Sequence, residues 1–194
     1  MTGHERVEER SEFIATDGLT VEEDHQLVSL LSKWTGGRIS TPVFTELARI
    51  IPQPIVEVVL FRKNDGVIET LLIPRPKDDI VWPGMVHTPG TAIRASDYQR
   101  DDKNPLSGAF DRIQHGELHG EFEGDPIFAG RLYRDGDRGP EVVDVYIAEL
   151  AENFELLEGQ EWCPVDKLPE NPKFIQGQLG HVLFATKFLK KWLD

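Results

Sequence analysis

The stretch that decides the fold runs from Trp82 to Leu118. It opens with Trp82-Pro83-Gly84 and Pro89-Gly90-Thr91. It passes Asp97 and ends in Gly108-Ala109-Phe110-Asp111-Arg112-Ile113-Gln114-His115-Gly116-Glu117-Leu118. Ala109 and Ile113 lie four apart, flanked by Leu106 and Phe110, a spacing that buries one face of a helix. Upstream, Val56-Glu57-Val58-Val59-Leu60-Phe61-Arg62 reads as a strand, and Val67-Ile68-Glu69-Thr70-Leu71-Leu72-Ile73 as its partner. Between them Lys63-Asn64-Asp65-Gly66 predicts a tight hairpin, because Asp-Gly accepts the positive φ that such turns need.

Together these segments resemble a Nudix box, the signature of the MutT-like hydrolase superfamily, with a degenerate carboxylate set. Pro89-Gly90-Thr91 stands where the family has Pro-Gly-Gly. Asp97 keeps a carboxylate six residues beyond Thr91, where the family has Glu. The family then places Arg-Glu-apolar-x-Glu-Glu on a helix. Glutamates three and four positions beyond the first share its face and offer hard oxygen ligands to divalent cations. Those cations neutralise a substrate diphosphate and help activate water.

Two registers are open, of which the first is preferred. In the first, Asp111 replaces the Arg, Arg112 replaces the first Glu, and His115 and Gly116 replace the two later glutamates. This register keeps the burial pattern and removes all three carboxylates. The second matches Arg112 to the Arg and Glu117 to the last Glu, at the cost of putting Ile113 in a Glu position and Gln114 in the apolar one. The segment Arg100-Asp101-Asp102-Lys103-Asn104-Pro105 lengthens the loop before the helix.

The C-terminal part supports the same fold. Glu141–Leu150 is rich in β-branched and aromatic residues and reads as a strand. Glu161-Trp162-Cys163-Pro164-Val165-Asp166-Lys167-Leu168-Pro169 is similar to the family's late Glu-x-Trp-x-Pro-x-x-x-Leu segment, one position shorter. A final helix over Gln178–Leu193 carries Leu179, Val182, Leu183, Thr186, Leu189 and Trp192 at helical spacing. The resemblance covers residues 54–194. It implies an α/β/α Nudix-like sandwich with a mixed sheet.

Ahead of it, residues 25–53 read as a helical extension packed on the core. His25–Trp34 forms one helix with Leu27, Leu30, Leu31 and Trp34 on one face, ended by Thr35-Gly36-Gly37. Ser40 or Thr41 caps a second, with Pro42 in its first turn and Val43, Leu47 and Ile50 facing inward. Residues 1–24 are strongly acidic and read as a flexible segment.

Composition bounds the function. The 194 residues carry a formal charge of −13, which disfavours nonspecific binding to nucleic acid or to an anionic membrane. No apolar run reaches membrane-spanning length, and Met1–Arg10 lacks a signal-peptide core. Cys163 is the only cysteine, so no intrachain disulfide forms and a cytoplasmic location is expected. It reads as a packed residue rather than a nucleophile. His115 and His119 are four apart, but Gly116 and Gly120 argue against a continuous helix that would make them a zinc pair.

Two functions remain. The first is a binding protein for a nucleotide-diphosphate-type or related phosphometabolite, without the usual catalytic metal cluster. Arg75, Arg94 and Arg112 are its candidate ligand contacts, since arginine meets phosphate bidentately. The alternative is a divergent Mg²⁺- or Mn²⁺-dependent pyrophosphohydrolase with relocated acids. Asp97 and Glu117 would then be its metal ligands, and Glu117, Glu121 and Glu123 its catalytic candidates. A homodimer is left open.

Overall fold

The apolar run of Val56–Phe61 has a residue for each side of a sheet, and the computed structural model covers both. It describes residues 16–34, 39–99, 104–170 and 173–193. Strand β1 (Gln53–Asn64) turns through Asp65 and Gly66, both at positive φ (48° and 82°), into β2 (Val67–Pro74). Two successive left-handed residues give the twist that lets a two-residue hairpin close.

Short strands β3 (Val86–His87) and β4 (Gly90–Ala92) follow. A 3₁₀ turn, Ala95–Gln99, leads towards helix α3 (Pro105–Asp111), which continues as a π-helix over Arg112–Leu118. The hairpin β5 (Ile127–Gly136) and β6 (Gly139–Ala148), the strand β7 (Glu161–Pro164) and the C-terminal helix, which begins at Leu179, complete the order.

The sheet runs β3-β2-β1-β6-β5, with β4 added to β1 and β7 to β2. Its centre is the parallel pair β1–β6, with Val56 opposite Asp144 and Val58 opposite Tyr146. The pairs β1–β2, β5–β6, β2–β3, β1–β4 and β2–β7 are antiparallel, so the sheet is mixed.

Strand alternation then builds two cores. Ile55, Val59 and Phe61 join Val143, Val145 and Ile147 beneath Val182 and Ala185 of the C-terminal helix. Val56, Val58 and Leu60 pack with Leu71 and Ile73 against Ala109, Ile113 and Leu118. Helices therefore cover both faces of the sheet, the α/β/α sandwich expected from the sequence.

The chain divides into two units, Met1–Gly37 and Arg38–Asp194. In the first, helix α1 (Val21–Leu31) starts four residues earlier than the apolar spacing suggests. The cause is a capping box: the Glu23 N–H donates to Thr20 Oγ1, and the Thr20 N–H donates to Glu23 Oε2. In the second unit α2 (Thr41–Ile50) begins after Ser40 with Pro42 in its first turn, as read from the sequence.

Its inward face is different from the expectation. Val43 and Ile50 are exposed, whereas Ala48 is buried and Phe44 and Leu47 are partly so. The Ala48 carbonyl lies against Gly139, and Arg138 stacks over the Phe44 ring at 5.8 Å, so the β5–β6 turn decides which side of α2 is covered. In the C-terminal helix, α4 (Leu179–Leu193), Leu183 is also exposed, and the buried positions are His181, Val182, Ala185 and Thr186. The helix end at Thr35-Gly36-Gly37, the acidic stretch before residue 16 and the loop acids Asp101 and Asp102 lie outside the described residues.

Candidate functional site

The π-helix sets the geometry of the box. At i→i+5 spacing Ile113 and Leu118 share one face, and both are fully buried. Ala109 and Ile113, four apart across the α-to-π junction, are buried on that side too. The burial pattern thus fits a helix in which the second register also holds. His115 and Gly116, which the first register puts on the metal-binding face, are exposed. Glu117 is the residue that faces the Pro89–Gly90 turn: its Oε2 accepts the Gly90 N–H at 3.1 Å. The geometry follows the second register.

Asp97 is buried, 3% exposed. Its carboxylate is held by Arg112, with Nη1 on Oδ1 and Nη2 at 3.0 Å from Oδ2, and by the Arg94 backbone N–H at 2.7 Å. Arg112 Nη2 also donates to the Ala92 carbonyl at 2.9 Å. Burial alone would raise the Asp97 pKa. The Arg112 hydrogen bonds, the Arg94 N–H and the charges of both arginines outweigh it and hold the carboxyl below its ordinary range. Arg112 therefore fixes the loop to the helix. Gly108 is where that loop meets α3, since a Cβ there would stand 2.7 Å from Asp97 Oδ1.

The charge of a second acid, Glu57, reaches Glu117. Glu57 points from β1 to the α4 side of the sheet and is 1% exposed. It pairs in register with Gly90, and a Cβ at Gly90 would run into its Oε2. Thr88 Oγ1 donates to Glu57 Oε1, and the Thr88 N–H donates to Gln178 Oε1 at 3.2 Å. His181 of α4, 2% exposed, brings Nδ1 to 3.7 Å from Glu57 Oε1; neither ring nitrogen has a hydrogen-bond partner.

Burial is the main force on Glu117. It raises the pKa, the Gly90 N–H lowers it, the Glu57 charge raises it, and Arg75 and Arg112 lower it. The balance leaves the carboxyl at about 7.

Arg75 closes this cluster from β2's end. Its guanidinium is paired with Asp79, with Nε at 3.0 Å from Oδ2, and its field reaches Glu117 and His87. His87 is buried and held neutral: desolvation, then the Arg75 charge, push its pKa down to about 3. Arg94 is exposed beside Asp97. Glu121 and Glu123 are at the surface rather than in the cluster, with Glu121 64% exposed and 3.0 Å from His115 Nε2.

Sequence reasoning did not single out Glu57, Thr88 or His181. The one available signal was an acid, Glu57, inside an otherwise apolar strand. Cys163 Sγ donates to the Lys167 carbonyl at 3.2 Å, in keeping with a packed thiol.

Among the described residues no three histidine, cysteine or acidic side chains gather closely enough to hold a metal ion. Asp97 is committed to Arg112, and Glu117 to a backbone N–H. These donors do not fit the multi-carboxylate cluster of a Nudix box. No described helix is long and apolar enough to cross a membrane.

Comparison with solved structures identifies the fold. The Nudix domain of Shewanella oneidensis NrtR, in complex with ADP-ribose, is 16% identical; the match covers 84% of this chain and 97% of that one, with a TM-score of 0.52. The same protein complexed with a 27mer DNA matches at 17% identity, 71% of this chain, 62% of that one and a TM-score of 0.55. The Caenorhabditis elegans Ap4A hydrolase matches at 16% identity, 74% of this chain, 100% of that one and a TM-score of 0.50. The chain has the Nudix fold. No family model and no curated protein matches its sequence.

Proposed function

We propose that this chain uses the Nudix cleft to bind a nucleotide-diphosphate-type or related phosphometabolite and does not run the usual metal-dependent hydrolysis. One observation carries the reading. Of the box-helix positions that would bear carboxylates, only Glu117 turns one to the Pro89–Gly90 turn, and a backbone N–H meets it there. Arg112, on the same helix, and Arg75, at the end of β2, bring positive charge to that carboxylate. This is a setting for a phosphate group rather than for a divalent ion.

Two fold neighbours, one solved with ADP-ribose and one an Ap4A hydrolase, make those compounds the first to try. The match spans 62% of the NrtR chain that was solved with DNA. For this chain the formal charge of −13 argues against duplex binding.

A hydrolytic reading draws on a different observation. A carboxyl with a pKa of about 7 within the field of a buried acid, Glu57, suits proton transfer at neutral pH. Under that reading Asp97 and Glu117 are the metal ligands to test, with Mg²⁺ or Mn²⁺.

One experiment separates the two. Product release and thermal shift are measured for ADP-ribose, Ap4A and a panel of nucleoside diphosphate derivatives, with Mg²⁺, Mn²⁺ or EDTA. A thermal shift without turnover supports binding. Metal-dependent turnover lost in Asp97→Ala and Glu117→Ala overturns it in favour of hydrolysis.

A further inference from the structure

A cavity of about 370 Å³ lies between the Trp82–Met85 loop, the tip of the β5–β6 hairpin and the Lys173–Gly177 segment. None of its lining residues belongs to the Glu57–Glu117 cluster. Its volume is in the range of small-molecule sites. The charge beside it is unbalanced. Arg134 and Arg138 share one buried acid, Glu141, at 2.5 and 3.2 Å. One carboxylate cannot satisfy two guanidinium groups. Arg134 Nη1 and Arg138 Nε are buried without an acceptor.

A charged donor left in this state is costly unless something supplies the missing acceptor. Two glycines pack closely against the Arg134 guanidinium. A Cβ at Gly177 would stand 2.8 Å from Nη1, and one at Gly136 would stand 3.2 Å from Nη2. Both glycines line the cavity, as does Lys173, a second cation.

The other wall is apolar, made by Trp82, Met85 and Ile175. Trp82 is fixed in place: its Nε1 donates to Asp137 Oδ2 at 2.8 Å, and Arg138 stacks on its ring at 4.7 Å. That hydrogen bond also engages one of the two acids at the rim, Asp135 and Asp137.

We infer that this cavity is a second ligand site, for a small organic oxyanion. A phosphate or carboxylate head takes the cavity-lining Arg134 guanidinium and Lys173, and a flat apolar body lies against Trp82 and Ile175. The inference stands apart from the proposed nucleotide cleft.

The test is titration calorimetry of the full chain with phenyl phosphate and with benzoate, each against its head group alone, inorganic phosphate or acetate. At least one aryl compound binds, and at least 10-fold tighter than its head group. Whichever aryl compound binds tighter identifies the head. Lys173→Glu, at the exposed rim and outside the Arg134–Glu141 pair, weakens that binding at least 10-fold, while Arg94→Ala, on the loop beside Asp97, leaves it unchanged. The inference is overturned if neither aryl compound binds, if neither binds more tightly than its head group, or if binding survives Lys173→Glu. Loss in Arg94→Ala alone also overturns it, because the anion then sits in the other cleft.

Discussion

Replacing Glu117 with Gln removes an ionisable group but keeps an oxygen for the Gly90 N–H. In the folded chain this carboxyl titrates at about 7, against an ordinary 4.5, mainly because it is desolvated. Between those values the folded state holds a proton that the unfolded state has released, so stability falls as pH rises through the interval. At about 1.4 kcal/mol per pH unit, the full interval amounts to about 3 kcal/mol. The cost is complete above pH 7 and absent below pH 4.5. Glutamine resembles the protonated acid and does not bear it.

The assay is urea unfolding of parent and Glu117→Gln at pH 4.5, 6 and 8. Other acids move both proteins alike, so the difference between the two isolates Glu117. The expected result is near equality at pH 4.5 and a variant more stable by up to about 3 kcal/mol at pH 8. Parallel pH profiles, or a variant weakened equally at both ends, would refute a desolvated Glu117.

Three further outcomes follow from the geometry. Asp97→Ala leaves Arg112 without its buried counter-charge and is expected to cost about 3 kcal/mol in chemical unfolding at pH 7. Because the Asp97 pKa is depressed, the difference from the parent shrinks as pH falls from 3.8 through the folded value. Gly139→Val places a side chain against the Ala48 carbonyl at φ +125° and is expected to destabilise by more than about 2 kcal/mol, read as a lowered urea midpoint. Arg75→Ala is expected to weaken ADP-ribose binding at least 10-fold in calorimetry, and unchanged affinity would remove Arg75 from the cleft.

Much of the sheet was legible because its signals are local. The Asp65-Gly66 turn and the apolar alternation of β1 each depend on a few neighbouring residues. The inward face of α2 was not, because it is chosen by a residue nearly a hundred positions away, Gly139, whose missing side chain admits the Ala48 carbonyl. The box was misread for another reason. Apolar spacing assumes 3.6 residues per turn, and Arg112–Leu118 does not keep it. Ile113 in a Glu position looked like a broken face, whereas the wider turn buries Ile113 and Leu118 together and delivers Glu117 to Gly90. Glu57 and His181 meet only through packing of β1 against α4, which no spacing along the chain encodes.

The wide turn acts on the box helix as a shift of frame acts on a message. Residues before Arg112 and residues after it are set by two different counts. Deleting one residue from Gln114–Gly116 would let the helix close as α from end to end. Leu118 would then stand four residues after Ile113 instead of five, on the same face, and Glu117 would keep its aim at the Gly90 N–H. An extra residue absorbed inside a helix, rather than expelled into a loop, can thus change the count along the sequence without moving the acid beyond it or the sheet beneath it.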